Sequence, residues 1–208
     1  EILSLLNLTP SSLQISILVN NAARTLASSL STTSPESFSA IHDLNVRGTF
    51  LMTQACIPYF PFPSNSQAQP PSRIINLSSV GARAGFANLS VYAASKAAVE
   101  AFTRCWAAEL GERGITVNAV SPGPVETDML GGIPDAVKER QREATPLGKR
   151  LGTEGDVVGV VGWLAGGESS WVTGQTISVR WVISSLFSLL LFCAVGLRKL
   201  CFADLVVV

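Results

Sequence analysis

Four short apolar runs govern what this chain can fold into: ISILVNNA at 15–22, RIINLSS at 73–79, Ile115–Val120 and Thr176–Val179. Runs this short and this rich in β-branched residues read as strands buried on both faces. Helix-like segments separate them. Ser34-Pro35-Glu36 has the form of a helix start, with Ser34 as cap and Pro35 in the first turn. Apolar residues at helical spacing (Phe38, Ile41, Leu44, Phe50, Leu51) then run to about Tyr59. PFPSNSQAQPPS, 61–72, is a loop by composition. Residues 90–113 form a long Ala-rich helix capped near Ser90, with Gly111 and Gly114 at its end. Residues 133–144 and Glu154–Leu164 supply two more helices, the latter capped by Thr153. Strands alternating with helices require crossover connections, hence an α/β fold with a parallel, doubly covered sheet.

In such sheets ligands bind beyond the carboxyl ends of the strands. The polar residues there are Asn20, Asn21, Ser78, Ser79, Ser121 and Thr127. Tyr92 and Lys96 stand at i and i+4 in the long helix and share one face. An ammonium near a phenol favours the phenolate, so the Tyr92 pKa is expected below its usual value. A tyrosine tuned in this way can exchange a proton with an alcohol or carbonyl oxygen. Ser79, at a strand end, could hold the same oxygen. The small residues Ala93, Ala94 and Ser95 would leave room for a flat ring and a substrate carbon. Taken alone, the pair is equally an exposed Tyr–Lys contact on an amphipathic helix.

Composition excludes several other classes. The formal net charge is zero, so no basic excess invites nucleic acid or an anionic surface. The four cysteines have no paired spacing, and with the single histidine, His42, they form no metal-like group. Free thiols in a reducing, cytoplasmic setting are expected. His42 reads as a partly exposed helix residue. No repeats and no secretory signal are visible, and the chain opens on Glu1, as if cut from something longer.

NNAA at 20–23, DLNVRGTF at 43–50, INLSS at 75–79, YAASK at 92–96, NAVSPGPVETDM at 118–129 and WVTGQTISV at 171–179 follow one another in a known order. Over roughly residues 13–179 the sequence closely resembles the short-chain dehydrogenase/reductase family. The resemblance implies a Rossmann-like sheet and hydride transfer between a nicotinamide and a carbonyl/alcohol substrate. It implies Tyr92 as general acid/base and Ser79 as the group that orients the substrate oxygen. Lys96 would tune Tyr92 and bind the nicotinamide ribose, and Asn45 would hold a water that links Lys96 to solvent. Asn20, Asn21 and Ala22 would line the adenosine side and stabilise the sheet. Pro122, Gly123, Val125 and Thr127 would face the nicotinamide. The segment 129–150, hinged at Gly131-Gly132, would be a substrate lid. The helices at 40–58 and 93–108 would form a dimer or tetramer face. YAASKAAVEAFTR and PGPVETDM look most like 3-oxoacyl-carrier-protein reductases, a subgroup that implies NADP(H) over NAD.

The sequence departs from the family at both ends. It holds no TGxxxGIG, the loop that carries the pyrophosphate, and it lacks the strand that selects NAD or NADP. The fold expected is therefore partial, with the first βαβ units missing and residue 15–22 edge exposed. A catalytically inactive remnant, serving as a binding or membrane-tethered module, is the alternative. A Ser79–Lys96 hydrolase is more remote, since no GxSxG elbow is present. The family-like domain is expected over 1–180. In the tail, residues 181–197 carry no charge. As a helix they would span about 26 Å, so a membrane anchor, an extra buried helix and a foreign end are the readings there. The abrupt end of the resemblance favours the last.

Overall fold

The computed structural model describes residues 14–62, 71–131 and 133–180. The N-terminal stretch 1–12 and the tail 181–208 fall outside the described residues. So do most of the Pro-rich loop and Gly132.

Strand β1 (Ile17–Asn20) is followed by helix α1 (Pro35–His42) and α2 (Thr49–Cys56). Then come β2 (Ser72–Leu77), α3 (Ser90–Leu110) and β3 (Ile115–Pro122). Helices α4 (Asp135–Glu143) and α5 (Glu154–Ala165) lead to β4 (Thr176–Val179). All pairings are parallel and the spatial order is the chain order, β1-β2-β3-β4. The expected α/β class is therefore what forms.

Alternation along the strands divides the core between the two faces. Ile74, Ile115 and Val117 pack with Phe60, Trp106, Ala107 and Leu110, and Leu18 joins them. Ile75 and Val120 point the other way, onto Leu164 of α5, with Ile17, Val19, Ile177 and Val179 around them. Neighbouring residues Ile74 and Ile75 thus serve opposite faces, both essentially without solvent exposure. This is why the strands read as continuous apolar runs rather than alternating ones.

Local signals set several helix ends. Ser34 accepts a hydrogen bond from the Ser37 N–H at 3.1 Å, with Pro35 behind it. Thr153 and Asp156 form a reciprocal capping box at the start of α5. Gly114 closes the α3 exit at φ +67°, a left-handed position where glycine carries no Cβ penalty. Ser90 is a correction. It lies inside the helix and makes no side-chain cap, and the first turn is closed instead by Ala93 N–H to the Leu89 carbonyl at 2.8 Å. The segment read as one helix to Tyr59 is interrupted by a π-helical stretch, Asp43–Gly48, that joins α1 to α2. Apolar spacing does not resolve a single wide turn of this kind.

Candidate active site

The carboxyl ends of β1, β2 and β3 bring the expected polar residues to one edge of the sheet. Ser79 follows β2 in extended conformation, and its Oγ accepts the Gly81 N–H at 3.1 Å, which caps the turn Val80–Ala82. Gly81 sits between Ser79 and Tyr92. A Cβ there would lie 3.4 Å from Ser79 Oγ and 3.6 Å from the Tyr92 ring. The two hydroxyl-bearing side chains therefore face each other across one small residue.

Lys96 is buried, one turn beyond Tyr92 on α3, and its Nζ donates to the Leu77 carbonyl at 2.6 Å. Burial lowers its pKa to about 8. The Tyr92 pKa moves up, because burial outweighs the hydrogen bond from Ser79 that lowers it. This direction corrects the lowering expected from the ammonium. The physical reason is that a mostly buried phenol loses more by ionising out of water than its polar neighbour returns.

Asn45 is buried in the π-helical stretch, a distortion often found at functional sites. Its Oδ1 takes the Arg24 N–H at 2.9 Å, and its Nδ2 donates to the Arg24 carbonyl and to Ser95 Oγ. Ser95 in turn donates to the Tyr92 carbonyl at 2.7 Å. Asn45 thus ties the strand that leaves β1 to the helix that carries Tyr92. Both Nδ2 protons are used, so a water could find only the second lone pair of Oδ1 on this side chain. Ser95 corrects an expectation as well. It is fully buried and turned toward Asn45, and does not clear space for a ring. Its place inside YAASK was the only sequence signal for it.

Asn20 faces the interior. Its Nδ2 donates to Thr53 Oγ1 and to Asn76 Oδ1, and Asn76 passes a hydrogen bond to Thr103. This is the sheet-stabilising half of its expected role. Asn21 and Ala22 are exposed just beyond the strand end. Gly123 N–H pairs with the Val179 carbonyl, which holds Pro122-Gly123 against β4. Pro124 and Glu126 pair with Gly152, so Val125's own backbone N–H and C=O lie outside that bridge. Thr127 is exposed, and among the described residues its hydroxyl reaches the Val125 carbonyl alone. No residue of α4 is buried, in keeping with a segment that rests on the surface.

A dinucleotide fits part of this edge. The exposed Asn21 and Ala22 follow β1, the Val125 N–H lies beyond β3, and the Lys96 ammonium meets the last carbonyl of β2, so each strand end offers a polar contact. The glycine-rich pyrophosphate loop has no counterpart in the sequence. Among the described residues no group of His, Cys, Asp and Glu could hold a metal. No described helix is long and apolar enough to cross a membrane.

A family model described as Enoyl-(acyl carrier protein) reductase matches residues 8–180. The chain belongs to the short-chain dehydrogenase/reductase family. Dehydrogenase OXI1 of Cochliobolus heterostrophus is 43% identical over 169 residues, which are 79% of this chain and 69% of that protein. The 3-oxoacyl-[acyl-carrier-protein] reductase FabG of Thermotoga maritima is 40% identical over 166 residues, 80% of this chain and 65% of that one. The chain thus spans about two thirds of these relatives' length. Among solved structures, the angucycline C-6 ketoreductase LanV with bound NADP is similar at TM-score 0.71 and 28% identity, covering 80% of this chain and 61% of that chain. A gluconate 5-dehydrogenase from Burkholderia cenocepacia in complex with NADP and tartrate is similar at TM-score 0.72 and 30% identity, over 80% of this chain and 64% of the other. By family, the protein is an oxidoreductase of the Rossmann-like class.

Proposed function

We propose that the protein is an NADP-dependent ketoreductase that interconverts a small-molecule carbonyl and its alcohol, with 3-oxoacyl compounds as the substrate class. The observation that carries this reading is the meeting of Ser79 and Tyr92 across Gly81, with the buried Lys96 one turn further along α3. The FabG relatives and the NADP-bound neighbours support the choice of cofactor and substrate class.

When bound, the nicotinamide supplies the hydride. The chain supplies position and the proton. Ser79 donates a hydrogen bond to the substrate oxygen and polarises the carbonyl. Tyr92 gives its phenolic proton to that oxygen as negative charge develops on it. A pKa kept high by burial holds the phenol protonated, the form needed for reduction. Lys96 would reach the ribose and restrain the phenolate once formed. Asn45 positions the site by locking the segment at Arg24 to the Tyr92 turn, with the second lone pair of Oδ1 left for one relay water. Asn21, Ala22, Pro122, Gly123, Val125 and Thr127 would line the cofactor, and 129–150 would close over the substrate.

The test is NADPH oxidation by the native-length protein with a 3-oxoacyl thioester. Tyr92→Phe should reduce turnover by about 10² to 10⁴-fold, the usual range for a lost general acid, with NADPH affinity nearly unchanged. Near-normal turnover in that variant refutes the role.

A homo-oligomer is part of the same reading. Phe50, Leu51 and Met52 of α2 are exposed, and the Phe50 ring lies 6.0 Å from that of Phe102 on α3. An apolar strip of this kind fits a second copy. Sedimentation of the native protein as a monomer would remove this part.

A further inference from the structure

Glu100 lies two turns beyond Tyr92 on α3, and its carboxylate is almost wholly buried. It accepts two hydrogen bonds, from Ser78 Oγ at 3.0 Å and from Arg83 Nε at 2.7 Å. Those donors bracket Ser79: one precedes it directly and the other follows four residues later. Ser78 Oγ also lies 3.3 Å from the Lys96 carbonyl, and its backbone N–H is held by Val120 at 2.7 Å. A single carboxylate on the helix of Tyr92 and Lys96 therefore grips both ends of the segment that carries Ser79.

We infer that Glu100, with Ser78 and Arg83, is a positioning device that sets where the Ser79 hydroxyl stands relative to Tyr92. This rests on the reductase reading for its catalytic consequence, though not for its geometry. A buried carboxylate is costly unless paired and hydrogen-bonded. Here both donors come from the one loop whose placement matters, whereas a purely structural ion pair could have been placed anywhere along α3. The other bonds at Ser79 are local, to Gly81 and Ala82 of its own turn. Its hydroxyl and carbonyl close the Val80–Ala82 turn on itself, and the clamp ties both flanks of that turn to α3. Small displacements at such a site have large effects on rate, because the oxygen must meet two donors at once.

The experiment compares Glu100→Gln and Arg83→Ala in the native protein and in a Ser79→Ala background. The first readout is the ultraviolet absorbance of the phenolate during titration, with Tyr92→Phe used to subtract the one other tyrosine, Tyr59. It needs no turnover. Ser79 lowers the Tyr92 pKa against the effect of burial, so each clamp variant should raise it, as Ser79→Ala should. In the Ser79→Ala background the clamp variants should add nothing. The second readout is kinetic: kcat should fall about tenfold with the KM for NADPH unchanged, and again not additively with Ser79→Ala. Arg83→Lys, which keeps the charge at a half-exposed position, should recover part of the loss. Lower thermal stability with an unmoved Tyr92 titration would overturn the inference, as would losses that add fully to Ser79→Ala. Absence of turnover in the unaltered protein would count against the reductase reading alone, because the titration still decides the clamp. If Glu100→Gln fails to fold, Arg83→Ala carries both readouts.

Discussion

Lys96 donates to the Leu77 carbonyl at 2.6 Å, which joins the helix that carries Tyr92 to the last residue of the strand that leads to Ser79. The contact holds an ammonium in a buried position, and burial lowers its pKa to about 8 from 10.5. Between these values the unfolded chain keeps a proton that the folded chain has released. Stability from this group therefore rises with pH across the window and is flat below it. Lys96→Met should remove that slope. Thermal midpoints of the two proteins between pH 7 and 10.5 provide the check, with parallel curves as the refuting result.

Asn76 is fully buried and links Asn20 of β1 to Thr103 of α3 through its two side-chain ends. Asn76→Ala would leave both partners with an unmet hydrogen bond and open a small cavity. The expected loss is about 2 to 4 kcal/mol, read from urea unfolding. A loss below 1 kcal/mol would mean that the network relaxes around water.

Arg73 is buried within β2 and meets no carboxylate among the described residues. It donates to the carbonyls of Pro71, Leu164 and Gly166, which places a cation at the carboxyl end of α5. Carbonyls with no partner inside the helix, which the Ser169 hydroxyl also serves, and the helix dipole both favour charge there. Arg73→Met should cost about 2 to 4 kcal/mol, and Arg73→Lys should not restore it, since a single ammonium cannot span three carbonyls in a plane. Full recovery in the lysine variant would refute the fork geometry.

Asp156 caps α5, where it accepts from Arg150 and from the Thr153 N–H and hydroxyl. Arg150 first, then Thr153, hold its pKa well below the ordinary carboxylate value. The stability it adds is complete above that ordinary value and is lost as pH falls through the lower one. Asp156→Asn should lower stability at pH 7 and flatten the acid limb below pH 4, so that the two proteins converge in acid. Equal acid sensitivity in both proteins would contradict this.

Much of the architecture was legible because it is written in local patterns. The β4 bounds, the caps at Ser34 and Thr153 and the glycine exit at Gly114 each depend on residues within a few positions of one another. The same is true of Tyr92 and Lys96, which share a face by helical geometry alone. The Ser90 cap failed because the Leu89 carbonyl already closes the first turn.

What the linear pattern could not disclose is side-chain pairing at long range. Asn45 and Ser95 are fifty residues apart, and Arg73 and Leu164 ninety-one. Nothing in the neighbourhood of Asn76, Arg73 or Glu100 marks them as buried polar groups with partners. The π-helical stretch around Asn45 was equally hidden, since it follows from tertiary packing rather than propensity. Alone, the sequence determined the α/β class, the strand order in the chain and the Tyr92–Lys96 face, because periodicity and capping act over one or two turns. Only the tertiary structure decided which carbonyl holds Lys96, which way the Tyr92 pKa moves and how Glu100 grips the Ser79 segment. Those depend on desolvation and on partners that the sheet brings together from distant parts of the chain.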